Sequence, residues 1–546
     1  NSIYIQEQRK FESKQQVALD ILNAEIIGLD LNDYFNSSER IMNFSKDEII
    51  ETAKKYYGKN YLSFYSKQNL NPSKEKINKP NYDPVVPNAE AESNYATNFK
   101  SISSDNIKIN LVDFNNAITK TNLKGAHTCY HTHNPKNDVF NLKIAYKVGS
   151  NEIEMLKYAG MVMDLAGTEN ISANRLRDTF NYLNCSFSFN VTDDRFYFSI
   201  QGLEQNIEQV IPIVGELLNQ PTLQDKNLKT IVQGEKTNRK LEKTEADAIA
   251  DALFEYMRFG KKSSYLDRLT MKELKKLETQ TIIDAFKLST QYEAAIHYSG
   301  KKEPSVIANL MAEFIPLNET PKRVNNEDFK HSKYHDKNTI YFVPKKNARQ
   351  SKVYLVLNEF EYGPDKIAAI NAFNLYFGGD FSGLVLQEIR EYRSLAYTAG
   401  AWVTTPNYPT KPCGFVGFVG TQADKTNEAM DIYYELLTNM PQKPERTTLV
   451  KEYLINKLQN DQPSFRSLSS KIAWWQQMGY ESDPRADLLK QYENLTFGDI
   501  VDFYNRHLQQ NTISMAISGD PREIDLEALE QYGKVIELKS KDIVSK

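Results

Sequence analysis

The most informative stretch of the chain, YFGGDFSGLVLQEIREYRSLAY, runs from Tyr376 to Tyr397. Its pattern predicts a glycine break, then a helix, then the start of a strand. Arg390 and Tyr397 are seven residues apart, about two turns of a continuous helix, so both would project from one side. A guanidinium and a phenol can both donate hydrogen bonds to one carbonyl oxygen. The pair is a candidate for polarising a substrate carbonyl; the alternative is a surface arginine and a core tyrosine.

Outward from this stretch, the chain repeats itself at intervals of about 220–235 residues. Three segments, which begin at Phe44, Leu277 and Leu495, share one pattern. Each has a polar start, an amphipathic helix, a polar break and an alternating strand. The recurrence predicts copies of one structural unit.

Two further pairs of segments support the last two copies. The segments from Phe196 and Gly414 each predict a strand, a short turn and a helix that ends in ELL before a proline. The segments from Asn141 and Ser351 each predict a strand that leads into a helix.

The repeat predicts two complete domains, residues 100–325 and 337–546, joined by a polar linker at 326–336. Residues 1–68 read as the closing part of a preceding copy whose beginning is absent, so we expect the chain to be a piece of a longer polypeptide. A linker rich in proline and asparagine follows at 69–99.

The predicted strands and helices indicate an α+β fold of tandem repeated domains, each with an antiparallel-rich sheet packed by helices. Within the first complete domain we predict one hairpin. Its arms are TCYHTH from Thr128 and DVFNLKIAYKV from Asp138, with the turn NPKN between them.

The composition is typical of a soluble globular protein, with 40% hydrophobic and 25% charged residues in a chain of 546. A net charge of −4 gives no reason to expect nucleic acid or an anionic membrane as a partner. No apolar run approaches the length of a membrane span. The three cysteines are far apart and indicate no disulfide framework, so the compartment stays open, with the periplasm as one expectation.

The motif REYRSLAY, which follows a Gly-Gly break in a domain of this size and strand–helix order, resembles the insulinase/pitrilysin metallopeptidases. The resemblance covers nearly the whole chain, and the repeat period fits that family's domain length. Active members carry an inverted zinc motif, H-x-x-E-H, on the first long helix of the first domain. Its two histidines share one helix face and bind Zn²⁺, and its glutamate serves as base for the zinc-bound water.

In this chain the corresponding helix is EMLKYAGMVMDLAGT, and the motif positions fall on Tyr158, Met161 and Val162. None of the three can replace an imidazole ligand or a carboxylate base. The family's third ligand is a glutamate on a later helix. Glu235 and Glu242 lie in that region, and without histidine partners we interpret them as solvated helix charges. The resemblance therefore implies no metal and no catalytic residue in this chain.

The resemblance further implies that the chain is the non-catalytic half of a zinc-dependent endopeptidase. Zinc would be bound by a catalytic half, from the same precursor or a separate subunit, and the two halves would enclose a peptide substrate like a clamshell. Arg390 and Tyr397 would bind the substrate by facing the scissile carbonyl. The alternative is a structural or peptide-binding scaffold of the same fold with no role in cleavage.

A histidine cluster provides a different hypothesis. His131 and His133 are two residues apart, so on a strand they share a face and could grip a metal, with His127 nearby. The segment reads as one arm of a hairpin, and no carboxylate or cysteine stands at a helpful spacing. We favour ordinary strand histidines and leave a metal-binding protein as a further alternative.

Overall fold

The computed structural model describes residues 2–37, 41, 43–67, 92–103, 108–324, 330–379 and 381–545. These residues form two compact units, Asn1–Lys108 and Ile109–Lys546. Most of the first predicted linker, 69–91, lies outside the described residues, as does the 326–329 part of the second.

The regular secondary structure described in the first unit is helical. Its helices are α1 (Ser2–Lys10), α2 (Lys14–Ile27), α3 (Leu31–Phe35), α4 (Lys46–Tyr56) and α5 (Asn94–Lys100). The helix predicted in the first repeat segment is α4, and Ser45 begins it with a capping box to Glu48. The strand predicted after α4 is wrong, because residues 57–67 join no sheet. Leu62 and Phe64 there are exposed, so no packed face holds an extended strand in place.

The second unit contains two six-stranded sheets. Sheet 1 and a short two-stranded sheet use β1 (Thr119–Asn122), β2 (Thr128–His133), β3 (Val139–Tyr146), β4 (Gly167–Thr168), β5 (Cys185–Val191), β6 (Phe196–Leu203), β7 (Pro221–Thr222) and β8 (Ala294–Gly300). The helices of this part are α6 (Leu156–Val162), α7 (Ala173–Tyr182), α8 (Ile207–Asn219), α9 (Asp225–Thr244), α10 (Ala246–Phe259), α11 (Met271–Leu274), α12 (Thr279–Ser289) and α13 (Pro304–Phe314).

Sheet 2 follows in the chain. Its strands are β9 (Thr339–Pro344), β10 (Gln350–Leu357), β11 (Ala396–Thr404), β12 (Gly414–Gln422), β13 (Ile513–Gly519) and β14 (Lys534–Glu537). The helices are α14 (Ile367–Phe377), α15 (Leu384–Leu386), α16 (Thr426–Thr438), α17 (Thr447–Asn460), α18 (Phe465–Gln477), α19 (Arg485–Asn494), α20 (Phe497–His507), α21 (Leu526–Leu529) and α22 (Ser540–Ile543). No helix among the described residues combines the length and the apolar character that crossing a bilayer requires.

Five strands of the two sheets follow the same order, which explains the sequence repeat, whereas the edge strands β1 and β14 come from opposite ends of their halves. The strand order of sheet 1 is β1-β2-β8-β3-β6-β5. Read from the corresponding edge, the strand order of sheet 2 is β14-β9-β13-β10-β12-β11. The strands predicted from the repeat, β3 with β10, β6 with β12 and β8 with β13, occupy equivalent positions. Sheet 1 contains one parallel pair, β2 with β8, and sheet 2 contains two, β9 with β13 and β9 with β14. The other strand pairs of both sheets are antiparallel. The predicted α+β fold of tandem, antiparallel-rich domains is confirmed.

The predicted hairpin is wrong, because β2 and β3 are not neighbours. Strand β8 lies between them, parallel to β2 and antiparallel to β3. The turn closes on β8 instead: the Asn134 backbone N–H donates to the Gly300 carbonyl at 2.9 Å. The Asn134 side-chain amide donates to the carbonyl of Val139 at 2.8 Å. The loop between β2 and β3 therefore keeps an internal hydrogen bond although β8 lies between the two strands.

Each sheet buries one face against its own helices. Along β6 the buried residues Phe196, Phe198 and Ile200 alternate with half-buried ones, as the two-residue period of a strand requires. They pack with residues of α8 and α12 in the core of the first half. The corresponding core of the second half combines sheet 2 with α14, α16 and α20.

The opposite faces are covered by two exchanged helices, α10 and α18. Helix α10 comes from the first half of the unit but packs Ile249, Leu253 and Met257 against the outer face of sheet 2. Helix α18 comes from the second half and packs on β2 and β8 of sheet 1, where Trp475 stacks on Phe114 at 5.6 Å. The exchange joins the two sheets into one compact unit.

Candidate functional site

The site is built on an irregular turn between α14 and β11. Helix α14 ends at Gly378, where an added Cβ would lie 2.3 Å from the Ala401 carbonyl oxygen, so only glycine fits. After α15 the backbone widens into a π-helix at Gln387–Glu391, and the Tyr392 N–H donates to the Gln387 carbonyl at 2.9 Å. π-Helical turns are rare in proteins, and those that do occur are often found at functional sites. This turn carries Arg390.

Tyr397 does not continue the helix. Ser394 has a φ of 53°, a left-handed conformation that strains a residue with a side chain, and the chain then enters β11. The register of β11 against β12 shifts between Ala396 and Thr398, and the resulting bulge sets the direction of the Tyr397 side chain. The helical spacing assumed from the sequence is therefore wrong.

The structure nevertheless brings Arg390 and Tyr397 together. The Arg390 Cζ lies 5.2 Å from the centroid of the Tyr397 ring. Tyr397 is 75% exposed, so the alternative of a core tyrosine is wrong. Its hydroxyl has no protein partner among the described residues, and it is available to donate to a ligand.

A third residue, Phe381, was missed by the sequence analysis. Its ring centroid lies 5.5 Å from the Arg390 Cζ, so the guanidinium contacts two aromatic rings in a double cation–π arrangement. Phe381 is 71% exposed, which is unusual for a large apolar side chain. An aromatic residue two positions after the Gly378–Gly379 break was the available signal. We call Phe381, Arg390 and Tyr397 the Arg390 cluster.

Neighbouring charges around the turn are paired. Glu388 contacts Arg393 and also lies 3.5 Å from the Lys443 Nζ. Burial alone would raise the pKa of the Glu388 carboxyl, but the hydrogen bond and charge of Arg393, with Lys443, lower it below its usual value. Arg390 contacts the Glu391 carboxylate through Nε at 3.4 Å. Its outer guanidinium nitrogens have no hydrogen-bond partner in the described part of the chain and can donate to a ligand oxygen.

The three degenerate motif positions lie on α6. Tyr158 and Val162 are buried on one face of that helix, and Met161 is exposed. Their shared face matches the spacing that two metal-binding histidines need, but a phenol and an isopropyl group stand there. Burial, followed by the charge of Glu235, raises the pKa of the Tyr158 phenol.

The interpretation of Glu235 and Glu242 as solvated helix charges is wrong. Glu235 is buried, and its Oε2 lies 3.0 Å from Nη2 of buried Arg239. Arg239 also donates to the Leu269 carbonyl at 2.7 Å. Glu242 pairs with Arg268 through Nη1 at 2.9 Å. A guanidinium thus already neutralises each carboxylate that could have served as a third ligand, so these residues do not fit a zinc ion.

The histidine cluster is engaged in hydrogen bonds. His127 is buried, its Nδ1 accepts from the Ala294 N–H at 2.9 Å, and its Nε2 lies 2.9 Å from the Asn318 carbonyl oxygen. His131 Nε2 lies 2.7 Å from the Lys302 carbonyl oxygen, and His133 is exposed. Within the described ranges, no group of three or more His, Cys, Asp or Glu side chains is placed to hold a metal ion.

Elemental analysis of the purified chain is expected to find less than about one-tenth of an equivalent of zinc, because a resident site needs three or four protein ligands. Replacing His131 and His133 together by alanine should leave this value unchanged. About one equivalent of zinc that disappears in the double variant would contradict the expectation and restore the histidine cluster as a metal site.

Comparison with known proteins places the turn in a family context. Residues 298–452 match the family model described as the peptidase M16 inactive domain, and the REYRSLAY motif lies inside the matched segment. The predicted resemblance to this metallopeptidase family is confirmed. No curated protein sequence matches the chain.

Solved structures show the same fold. The peptidase M16 inactive domain from Pseudomonas fluorescens superimposes with a TM-score of 0.60 at 16% identity, covering 74% of this chain and 98% of its own. The periplasmic protease PqqL from Escherichia coli gives 0.62 at 12%, covering 89% of this chain and 52% of its own. The ferredoxin protease FusC, in complex with Arabidopsis ferredoxin, gives 0.58 at 12%, covering 93% and 56%. The chain thus spans about half the length of PqqL and FusC.

Proposed function

We propose that this chain, whose residues 298–452 match a peptidase M16 inactive domain, is the non-catalytic half of a zinc-dependent endopeptidase of the insulinase/pitrilysin type. The observation that carries the proposal is the Arg390 cluster. It combines the exposed phenol of Tyr397 and the partly exposed guanidinium of Arg390 on a strained π-helical turn and bulge within the matched segment. The sequence contains no H-x-x-E-H motif, so zinc and the catalytic base belong to the other half.

Arg390 and Tyr397 bind the substrate in this proposal. Their N–H and O–H groups donate to a peptide carbonyl oxygen, and the bonds strengthen as negative charge develops on that oxygen during attack. The contact of the guanidinium with Phe381 and Tyr397 limits its rotamers, so less side-chain entropy is lost when a peptide binds.

The partners are a peptide substrate and a catalytic half. Coverage of about half of PqqL supports a second half of comparable size, encoded in the same precursor or as a separate subunit. PqqL is a periplasmic protease, and we include a periplasmic location in the proposal on that ground.

Co-expression with a H-x-x-E-H half, encoded upstream in the same reading frame or in a neighbouring gene, tests the proposal. The assembled pair should cleave a quenched fluorescent peptide, whereas this chain alone should not. Tyr397→Phe should lower kcat by roughly fivefold to tenfold, the value of one neutral hydrogen bond. The matched control is Tyr392→Phe on the same turn, since Tyr392 is also exposed but does not contact Arg390.

Three outcomes would contradict the proposal. A catalytic half that is fully active without this chain would leave it no part in turnover. Equal kcat for the Tyr397→Phe variant and the parent would remove the assigned role of the phenol. Stable assembly without cleavage of any peptide would favour the scaffold alternative.

A further inference from the structure

A row of polar side chains crosses the middle of sheet 1, on the face opposite the core. Tyr130 of β2 is directly opposite His297 of β8, which is opposite Lys143 of β3, which is opposite Ser199 of β6. His297 stacks on Tyr130 with ring centroids 4.9 Å apart. The Lys143 Nζ lies 3.9 Å from the ring centroid of Tyr197. We call Tyr130, His297, Lys143 and Ser199 the Lys143 row.

The exchanged helix α18 does not cover this face completely. A cleft of about 1620 Å³ remains, lined by Lys143, Tyr130 and His297 on the sheet side and by Trp474 of α18 and Tyr408 opposite. The His297 Nδ1 lies 3.1 Å from the Ser469 hydroxyl, so α18 contacts the row at this residue. Arg390 and Tyr397 do not line the cleft, so it is separate from the Arg390 cluster.

Lys143 carries the positive charge of this row, and no anion in the described part of the chain is paired with it. Its ammonium forms no ion pair with a carboxylate of the described residues, although the side chain is half-buried. Two neighbouring cations of the cleft have polar partners: Lys147 pairs with Glu293, and Arg195 donates to the Gln477 side-chain oxygen at 3.1 Å.

The pKa shifts of Lys143 and His297 also reflect the missing anion. Burial lowers the pKa of Lys143, with no acidic neighbour to offset it. Burial, followed by the Lys143 charge, lowers the pKa of His297 to about 4, so the imidazole is neutral at pH 7. A partly buried charge without a partner is unfavourable, and an anion from outside would compensate it.

We propose that this cleft binds a carboxylate-bearing ligand, whose carboxylate pairs with the Lys143 ammonium while its apolar part packs on the Tyr130 and Tyr197 rings. The Lys143 row offers one ammonium, which favours a carboxylate over a phosphate. One ammonium matches a single negative charge, whereas phosphate recognition typically uses several donors or a planar guanidinium fork. The inference does not depend on the proposed peptidase role.

Isothermal titration calorimetry of the complete chain at constant ionic strength tests the proposal. The probes are the N-acetylated, C-amidated peptide Ala-Tyr-Glu-Ala, its Gln counterpart, 4-hydroxybenzoate and inorganic phosphate. We expect binding of the Glu peptide or of 4-hydroxybenzoate, and the comparison tells a peptide carboxylate from a small-molecule one. Lys143→Met should weaken that binding about tenfold to a hundredfold, as expected for a charge-assisted hydrogen bond.

Two controls keep the experiment decisive. Lys240→Met removes an exposed lysine of α9 and should leave the affinity unchanged. Lys143→Arg keeps the charge and should retain more affinity than Lys143→Met, with thermal unfolding of each variant as a check of folding. The proposal is overturned if neither carboxylate binds, if the Gln peptide binds as well as the Glu peptide, if phosphate is preferred, or if Lys143→Met has no effect.

Discussion

Replacing Arg390 by alanine is expected to lower the kcat of the assembled peptidase on the order of a hundredfold, the effect of losing one donor to a developing oxyanion. KM should change much less, because the bonds that strengthen in the transition state contribute mainly to kcat. Arg390→Lys should give an intermediate value, since a lysine keeps the charge but loses the planar fork that contacts the Phe381 and Tyr397 rings. Steady-state kinetics on one peptide gives kcat and KM for the parent, Arg390→Ala and Arg390→Lys.

The matched control is Arg175→Ala, because Arg175 is an exposed arginine on α7, away from the turn. Its kcat should equal that of the parent. Thermal unfolding of Arg390→Ala should be close to the parent's, since the Arg390 side chain is one-third exposed. A parental kcat for Arg390→Ala, or a loss that appears only in KM, would exclude a role in transition-state stabilisation.

The buried ion pair of α9 should contribute strongly to stability. Glu235→Leu leaves the buried Arg239 guanidinium without its carboxylate, and arginine cannot escape the cost by losing its proton. We expect a loss of about 3–5 kcal/mol in the free energy of unfolding. Urea titration followed by tryptophan fluorescence measures it, because Trp402, Trp474 and Trp475 all lie in the second unit.

An exposed pair with the same spacing provides the control. Asp502 and Arg506 on α20 are also four residues apart, at 3.7 Å, but both are well exposed. Asp502→Leu should cost less than about 1 kcal/mol. The double variant Glu235→Leu/Arg239→Met should recover much of the lost stability, because it no longer buries an unpaired charge. Equal losses for Glu235→Leu and Asp502→Leu would contradict this account.

The repeated elements of the fold could be predicted because their signals are local. Helix α20 is preceded by Thr496, which forms a capping box with Asp499, and the alternating strand β13 follows within a few residues. The hairpin of β2 and β3 could not be rejected in this way. Strand β8, which separates them, lies about 150 residues further along the chain. The local sequence around Asn134 gives no sign that another strand is inserted there.

The sequence analysis predicted two residues of the candidate site, Arg390 and Tyr397, but assumed the wrong backbone geometry between them. The sequence placed Arg390 and Tyr397 on one helix face, whereas the structure joins them through the left-handed Ser394 and a bulge. Neither feature follows from residue type, since serine seldom adopts a positive φ. Glu235 was misread for a related reason: the burial of α9 depends on tertiary packing, which alternating charges along a helix do not reveal.

The exchanged helices have a consequence for synthesis on the ribosome. Strand β13 lies between β9 and β10, so the face that covers Ile249, Leu253 and Met257 is incomplete until residue 519 has emerged. About 260 residues separate the end of α10 from that point, and at 5–20 residues per second their translation takes on the order of 13–50 s. During this interval the apolar stripe of α10 lacks its complete partner face in the nascent chain. We expect a holding chaperone to occupy it, and release to coincide with completion of the second half.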